Sequence, residues 1–200
     1  YKIQGLNLRD EIAIPLTPKV AAGFLNAIGR TNLKWRGQTK VGASKGKMVT
    51  REVLKLAAES GCVELAIGVE SASQQVMDVI DKRQDISQVR DFISYCKEFK
   101  IKIKMCLILG LPGEPTDIVE QTIKFIEKTK PDFVAVSGFC PVPGSDIYNN
   151  QKYYGIKSVV QEWDKHAHLV YRFGDDEDFG LPFEYEDTNK WGKTFSRGEI

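Results

Sequence analysis

The chain has 200 residues, 42% of them hydrophobic and 28% charged, and its 28 Lys and Arg against 27 Asp and Glu leave a net charge of +1. This suits a globular protein with a substantial core, and near neutrality argues against sequence-independent nucleic-acid binding, which needs a basic footprint. No run approaches about eighteen apolar residues and no basic-then-apolar leader opens the chain, so no membrane partner is expected and the cytoplasm is the expected setting. Cys62, Cys96, Cys106 and Cys140 show no Cys-x-x-Cys spacing. They read as buried free thiols, and no metal ligand is assigned.

Tyr1 to Leu8 alternates loosely as a strand that continues something longer upstream, and it ends at Arg9-Asp10-Glu11. Pro18 then suits the first position of a helix capped by Thr17, with Val20, Ala21, Phe24, Leu25 and Ile28 as its buried stripe. Leu33 to Val41 is a second, weaker strand, and Gly42 to Lys47 a solvated loop. Thr50 caps a helix bearing Val53, Leu54, Ala57 and Ala58, which Gly61 ends. Cys62 to Val69 is a strand that delivers Glu70 and Ser71, after which Ser71 or Ser73 starts a short helix and Ser87 opens a longer one.

From Ile101 the chain alternates Ile and Lys, becomes continuously apolar, and stops in Gly110-Leu-Pro-Gly-Glu114. That is a strand entering a shaped loop, and Thr116 stands ready to cap a helix with Ile118, Val119, Thr122, Ile123 and Ile126 in register. Phe133 to Phe139 is the last clear strand, closing on Cys140-Pro-Val-Pro-Gly-Ser145. Strand, loop and helix recur about every thirty to forty residues, the length of a βαβ step. Periodicity alone is compatible with an open doubly wound sheet and with a β/α barrel. Beyond Tyr154 the pattern fails, so the organisation expected is a core of residues 1–154 and a less regular extension of residues 155–200, with Trp163 and Trp191 as anchors. Asp175 to Asp178 reads as a solvated acidic loop, because the spacing and glycine of a cation loop are missing. His166 and His168 lie in that extension, away from the strand ends.

In a parallel α/β fold the chemistry sits over the carboxyl ends of the strands. That rule collects Asp10 and Glu11, Gln38 and Lys40, Glu70 and Ser71, Gly110 to Glu114, and Pro141 to Ser145. A carboxylate at Glu70 can accept two hydrogen bonds from a ribose diol, or it can serve as an ion pair or cap for the next helix. Glycine at 110 and 113 permits close approach of backbone to a flat ligand. The same Gly-x-x-Gly occurs in an RNA-binding KH module, but there it lies between helices, whereas here a long strand precedes it.

Four segments in order, Trp35 to Val41, Ser60 to Ser71, Leu107 to Glu114 and Phe139 to Ser145, resemble the later part of the radical SAM core, most of all the branch that often carries a cobalamin-binding domain upstream. The resemblance implies an α/β fold that is part of a parallel, TIM-like β/α barrel. It implies an enzyme in which a 4Fe–4S cluster cleaves S-adenosylmethionine (SAM) to a 5′-deoxyadenosyl radical, or a methyl group is transferred, acting on a small-molecule substrate. By resemblance, Glu70 lies near the SAM ribose with Ser71 beside it. Leu107, Ile108, Leu109 and Gly110 lie against the adenine and continue into Pro112, Gly113 and Glu114. Asp10 and Glu11 match the acidic pair of an early strand. Beside Gln38, Lys40 stands where relatives commonly have Arg, which keeps the charge but loses the planar fork. The family's Cys-x-x-x-Cys-x-x-Cys loop is absent. Cluster ligands and any cobalamin domain are therefore expected in an N-terminal half outside this chain. The alternative is a degenerate, non-catalytic barrel serving as a binding or scaffold module.

Overall fold

The computed structural model describes residues 2–44, 47–162 and 181–195. Trp163, His166, His168 and Asp175 to Asp178 lie outside the described residues. The fold is α/β, part of a parallel β/α barrel. The strands β1 (Gly5–Asn7), β2 (Lys34–Thr39), β5 (Cys62–Glu70), β6 (Lys102–Leu109) and β7 (Phe133–Gly138) form one sheet in that order. β1 pairs with β2, and β2 with β5, in parallel register. The helices α1 (Pro18–Gly29), α2 (Arg51–Glu59), α3 (Gln74–Val79), α4 (Ile86–Glu98) and α5 (Ile118–Thr129) fall between strands, as crossover connections require. Among the described residues no helix is long and apolar enough to cross a membrane.

The chain forms two compact units. The first holds residues 1–69, 82–106 and 124–135, and its core contains Leu25, Trp35, Leu54, Leu65, Ile67, Phe92, Ile93 and Ile103, each at most 2% exposed. Burying an aliphatic or aromatic side chain of this size contributes about 1.5–3 kcal/mol. Residues of β2 alternate between exposed and buried, so Trp35 and Thr39 point inward, and the Trp35 indole N–H donates to the Ser60 hydroxyl at 3.0 Å. The second unit holds residues 70–81, 107–123 and the chain from 136 onward. Its apolar cluster joins Val76, Leu111, Phe139 and Tyr154 to Ile156, Leu181, Phe183 and Tyr185. The last four lie on or beside an antiparallel pair, β8 (Ile156–Val159) and β9 (Phe183–Tyr185). Trp191 packs against the same cluster and stacks on Tyr154.

Several local expectations change. The stretch read as a solvated loop contains an antiparallel pair, β3 (Gly42–Ser44) with β4 (Lys47–Met48). The long helix α4 is opened by Asp85 rather than Ser87: its carboxylate accepts from the Ser87 N–H at 2.6 Å while Gln88 accepts from the Asp85 N–H, a reciprocal capping box. Thr17 and Ser73 stand at helix starts, but neither side chain makes a cap hydrogen bond. The helix expected after Thr116 begins later, at Ile118, after a turn in which the Ile118 N–H donates to the Pro115 carbonyl. Val20, Val119 and Ile123 are 50–56% exposed. Ile118 and Thr122 of the expected α5 stripe are buried and Ile126 is half-buried, and Phe125 and Thr129 are buried beside them; Thr129 fits because it donates its hydroxyl to the Phe125 carbonyl at 2.7 Å. Thr50 does cap α2, accepting from the Val53 N–H at 3.3 Å. Replacing Thr50 with Ala should cost about 1 kcal/mol in urea unfolding, and Thr50→Ser should restore most of it.

Candidate cofactor site

The ends of β5 and β6 carry most of the predicted positions, and both ends belong to the second unit. β5 closes on Glu70 with φ +67°. That left-handed conformation costs a side chain with a Cβ on the order of 1 kcal/mol, and such residues gather at binding and catalytic sites. It turns the chain sharply into Ser71, which is buried and accepts from the Ser73 N–H at 3.2 Å. Glu70 itself is half-buried.

At the end of β6, Leu107 is buried and Ile108 and Leu109 are half-buried, and everything from Gly110 to Glu114 is buried. Gly110 has φ +87° and Gly113 φ +83°, conformations that favour glycine. The loop's backbone polar groups are met by several parts of the unit. The Phe139 N–H donates to the Leu109 carbonyl at 2.8 Å, and the Gly110 N–H donates to Glu114 Oε2 at 2.9 Å. The Tyr185 hydroxyl donates to the Gly110 carbonyl at 2.8 Å. Gln75, on α3, donates its Nε2 to the Gly113 carbonyl at 2.9 Å. Both polar groups of Gly110 are thus engaged within the chain.

Glu114 is 7% exposed, and its Oε1 is buried without a hydrogen-bond partner. Burial pushes its carboxyl up to about 7, which hydrogen bonds from the Gly110 and Leu111 N–H groups only partly offset. Burial, and then the charge of Glu114, pushes the Tyr185 phenol well above its ordinary range. Tyr185 and Gln75 are absent from the sequence-based set. A tyrosine 75 residues from its acceptor leaves no local signal, and a glutamine on a short helix looks like any solvated side chain.

Asp10, Glu11, Gln38 and Lys40 belong to the first unit. Asp10 and Glu11 are exposed beyond β1, and Gln38 is an exposed residue of β2 whose carbonyl accepts from the Ala13 N–H at 2.7 Å. Lys40 is half-buried just past that strand. The cysteines do not fit an iron–sulfur cluster. Cys62 and Cys96 are buried free thiols, burial pushing Cys62 up to about 12 and Cys96 higher still, so the thiolate a cluster needs is disfavoured. Cys106 and Cys140, both half-buried, form no disulfide. Among the described residues no group of three or more His, Cys, Asp or Glu could hold a metal ion.

The sequence profile of the radical SAM superfamily matches residues 27–126. The chain belongs to this superfamily. An uncharacterized methyltransferase of Pyrococcus horikoshii is 29% identical over 139 residues, which are 68% of this chain and 28% of that protein. The anaerobic magnesium-protoporphyrin IX monomethyl ester cyclase of Rubrivivax gelatinosus is 27% identical over 115 residues, 58% of this chain and 20% of the relative. Among solved structures, the radical SAM methyltransferase TsrM from Kitasatospora setae, with cobalamin and a 4Fe–4S cluster bound, superposes with a TM-score of 0.61. It is 16% identical, and the match covers 76% of this chain and 31% of TsrM. The chain therefore spans less than a third of the length of these relatives. Superfamily members pair SAM with a 4Fe–4S cluster, and the solved structures that this chain resembles in fold include the cobalamin-bound TsrM.

Proposed function

We propose that this chain is the SAM-binding, substrate-facing portion of a radical SAM enzyme acting on a small molecule. The observation that carries the reading is the end of β5, where Glu70 is held at φ +67° at the position the family resemblance gives to the ribose contact. In this reading Glu70 and Ser71 bind the ribose, Leu107 to Gly110 lie along the adenine, and Pro112, Gly113 and Glu114 hold the turn. The family resemblance assigns cofactor binding to Asp10, Glu11, Gln38 and Lys40 as well, all of them in the first unit. A 4Fe–4S cluster would supply the electron that cleaves SAM, and its ligands come from the N-terminal half of the same protein, as does a cobalamin domain if methyl transfer is the reaction. Four cysteines outside any disulfide and a reduced cluster suit the cytoplasm.

The test is SAM titration of the full-length protein after anaerobic cluster reconstitution. Glu70→Ala should weaken SAM affinity about tenfold or more, through loss of charge-assisted hydrogen bonds to the ribose. Unchanged affinity removes Glu70 from the site. A wild-type protein that binds no SAM belongs instead with the degenerate, non-catalytic barrels.

A further inference from the structure

We propose that Tyr185 is a positioning residue for the cofactor loop, so that a strand near the C-terminal end of the chain sets the shape of the surface at the end of β6. The ligand half of this inference rests on the SAM reading above; the loop half rests on the hydrogen bonds at Gly110.

Gly110 is gripped from two directions. Glu114 takes its N–H at 2.9 Å, from only four residues along the chain. Tyr185 donates to its carbonyl at 2.8 Å, from β9. Four residues of separation makes the first contact part of the loop's own folding. The second is different, because it forms only when β9 is docked. The phenol is 7% exposed, so its bond to Gly110 is shielded from water and its loss would leave a buried carbonyl without that donor.

The Tyr185 ring is in turn fixed by an aromatic chain. It meets Phe183 edge-on at 5.1 Å, and Phe183 meets Phe139 edge-on at 5.1 Å. Phe139 closes the circuit, since its own N–H donates to the Leu109 carbonyl at 2.8 Å. Consecutive carbonyls, Leu109 and Gly110, are thus held by two residues joined through Phe183. A peptide pinned on both carbonyls and on one N–H has little freedom to rotate. Glycine at 110 would otherwise give this loop a broad choice of conformations. The arrangement offsets that freedom, and it keeps Gly110 in the left-handed conformation. Every residue in this argument belongs to one compact unit.

Tyr185→Phe removes only the hydroxyl and keeps the ring packing. Two measurements on the full-length, cluster-reconstituted protein separate the two halves of the inference. Without SAM, hydrogen–deuterium exchange over residues 107–114 should accelerate about tenfold in the variant, while exchange over α2 stays at the wild-type rate. With SAM, the variant should bind about tenfold more weakly, while far-UV circular dichroism and the cluster absorbance match wild type. Tyr185→Trp, which keeps an aromatic body but moves the donor, should reproduce the fast exchange if Tyr185→Phe folds poorly. Unchanged exchange over 107–114 overturns the clamp. Faster exchange with unchanged SAM affinity overturns the positioning role. A wild-type protein that does not bind SAM refutes the functional reading and the ligand half together, while the exchange measurement still decides the clamp.

Discussion

Gly61→Ala should destabilise the protein by about 3 kcal/mol, read as a lower urea midpoint at an unchanged m-value. Gly61 follows Ser60, the C-cap of α2, and lies at φ +98°. An L-residue in such a conformation costs about 1 kcal/mol relative to glycine. The remainder comes from overlap, since a Cβ built there would stand 2.5 Å from the Leu33 carbonyl oxygen. The usual escape is a small backbone shift, at a cost of about 1–3 kcal/mol. Here the shift is opposed on both sides. The Gly61 N–H donates to the Ala58 carbonyl at 3.0 Å, and the Gly61 carbonyl accepts from the Trp35 N–H at 3.0 Å. Moving Gly61 also disturbs the anchor of Trp35, whose indole N–H donates to the adjacent Ser60. A loss below 1 kcal/mol would mean that β2 moves away from α2 without resistance.

The stop at Gly61 shows what was legible in the sequence. An apolar stripe followed by glycine ends a helix for a local reason, and the same locality made β2, β5, β6 and the glycine loop readable. The errors share a cause as well. Val20, Val119 and Ile123 fit their helical stripes by spacing, but which side of a helix is buried depends on what covers it. Thr129 is buried in α5 while its hydroxyl bonds back into its own helix, a pattern that a count of apolar residues overlooks. Asp85 displaced Ser87 as the cap because Gln88 completes the reciprocal bond three residues on. At the candidate site the short-range contacts, such as Glu114 with Gly110, come from within one motif. Tyr185, on β9, and Phe139, just past β7, reach the same loop from further along the chain, and only the packing of the second unit reveals these contacts.

Glu114→Gln should stabilise the protein at pH 8 and lose that advantage in acid. In the folded chain the carboxyl is raised from an ordinary 4.5 to about 7, chiefly by burial. The native state therefore holds this proton more tightly than the unfolded state does, and between those two values it binds more protons. Stability then falls as pH rises through that window; the penalty is absent below about 4.5 and complete above about 7. A rise of this size corresponds to about 3 kcal/mol. Glutamine carries no charge at any of these pH values, and its carbonyl oxygen can still accept from the Gly110 N–H. Its amide nitrogen would replace Oε1, which lacks a partner, so part of the gain is lost and about 2 kcal/mol remains at pH 8. Paired urea titrations at pH 4.5 and pH 8 check this, and a difference between variant and wild type that ignores pH would show that Glu114 ionises normally. Tyr185 is the ionisable neighbour whose own pKa this carboxylate raises. A buried carboxyl in the candidate site whose pKa is raised by burial is a candidate for a use of its charge. In the SAM reading that use is a charge-assisted grip on the Gly110 N–H, about twice as strong as a neutral amide supplies. The same substitution should therefore loosen the loop beside the adenine while it stabilises the protein as a whole. Stability and SAM affinity moving in opposite directions in Glu114→Gln would separate a functional carboxylate from a structural one.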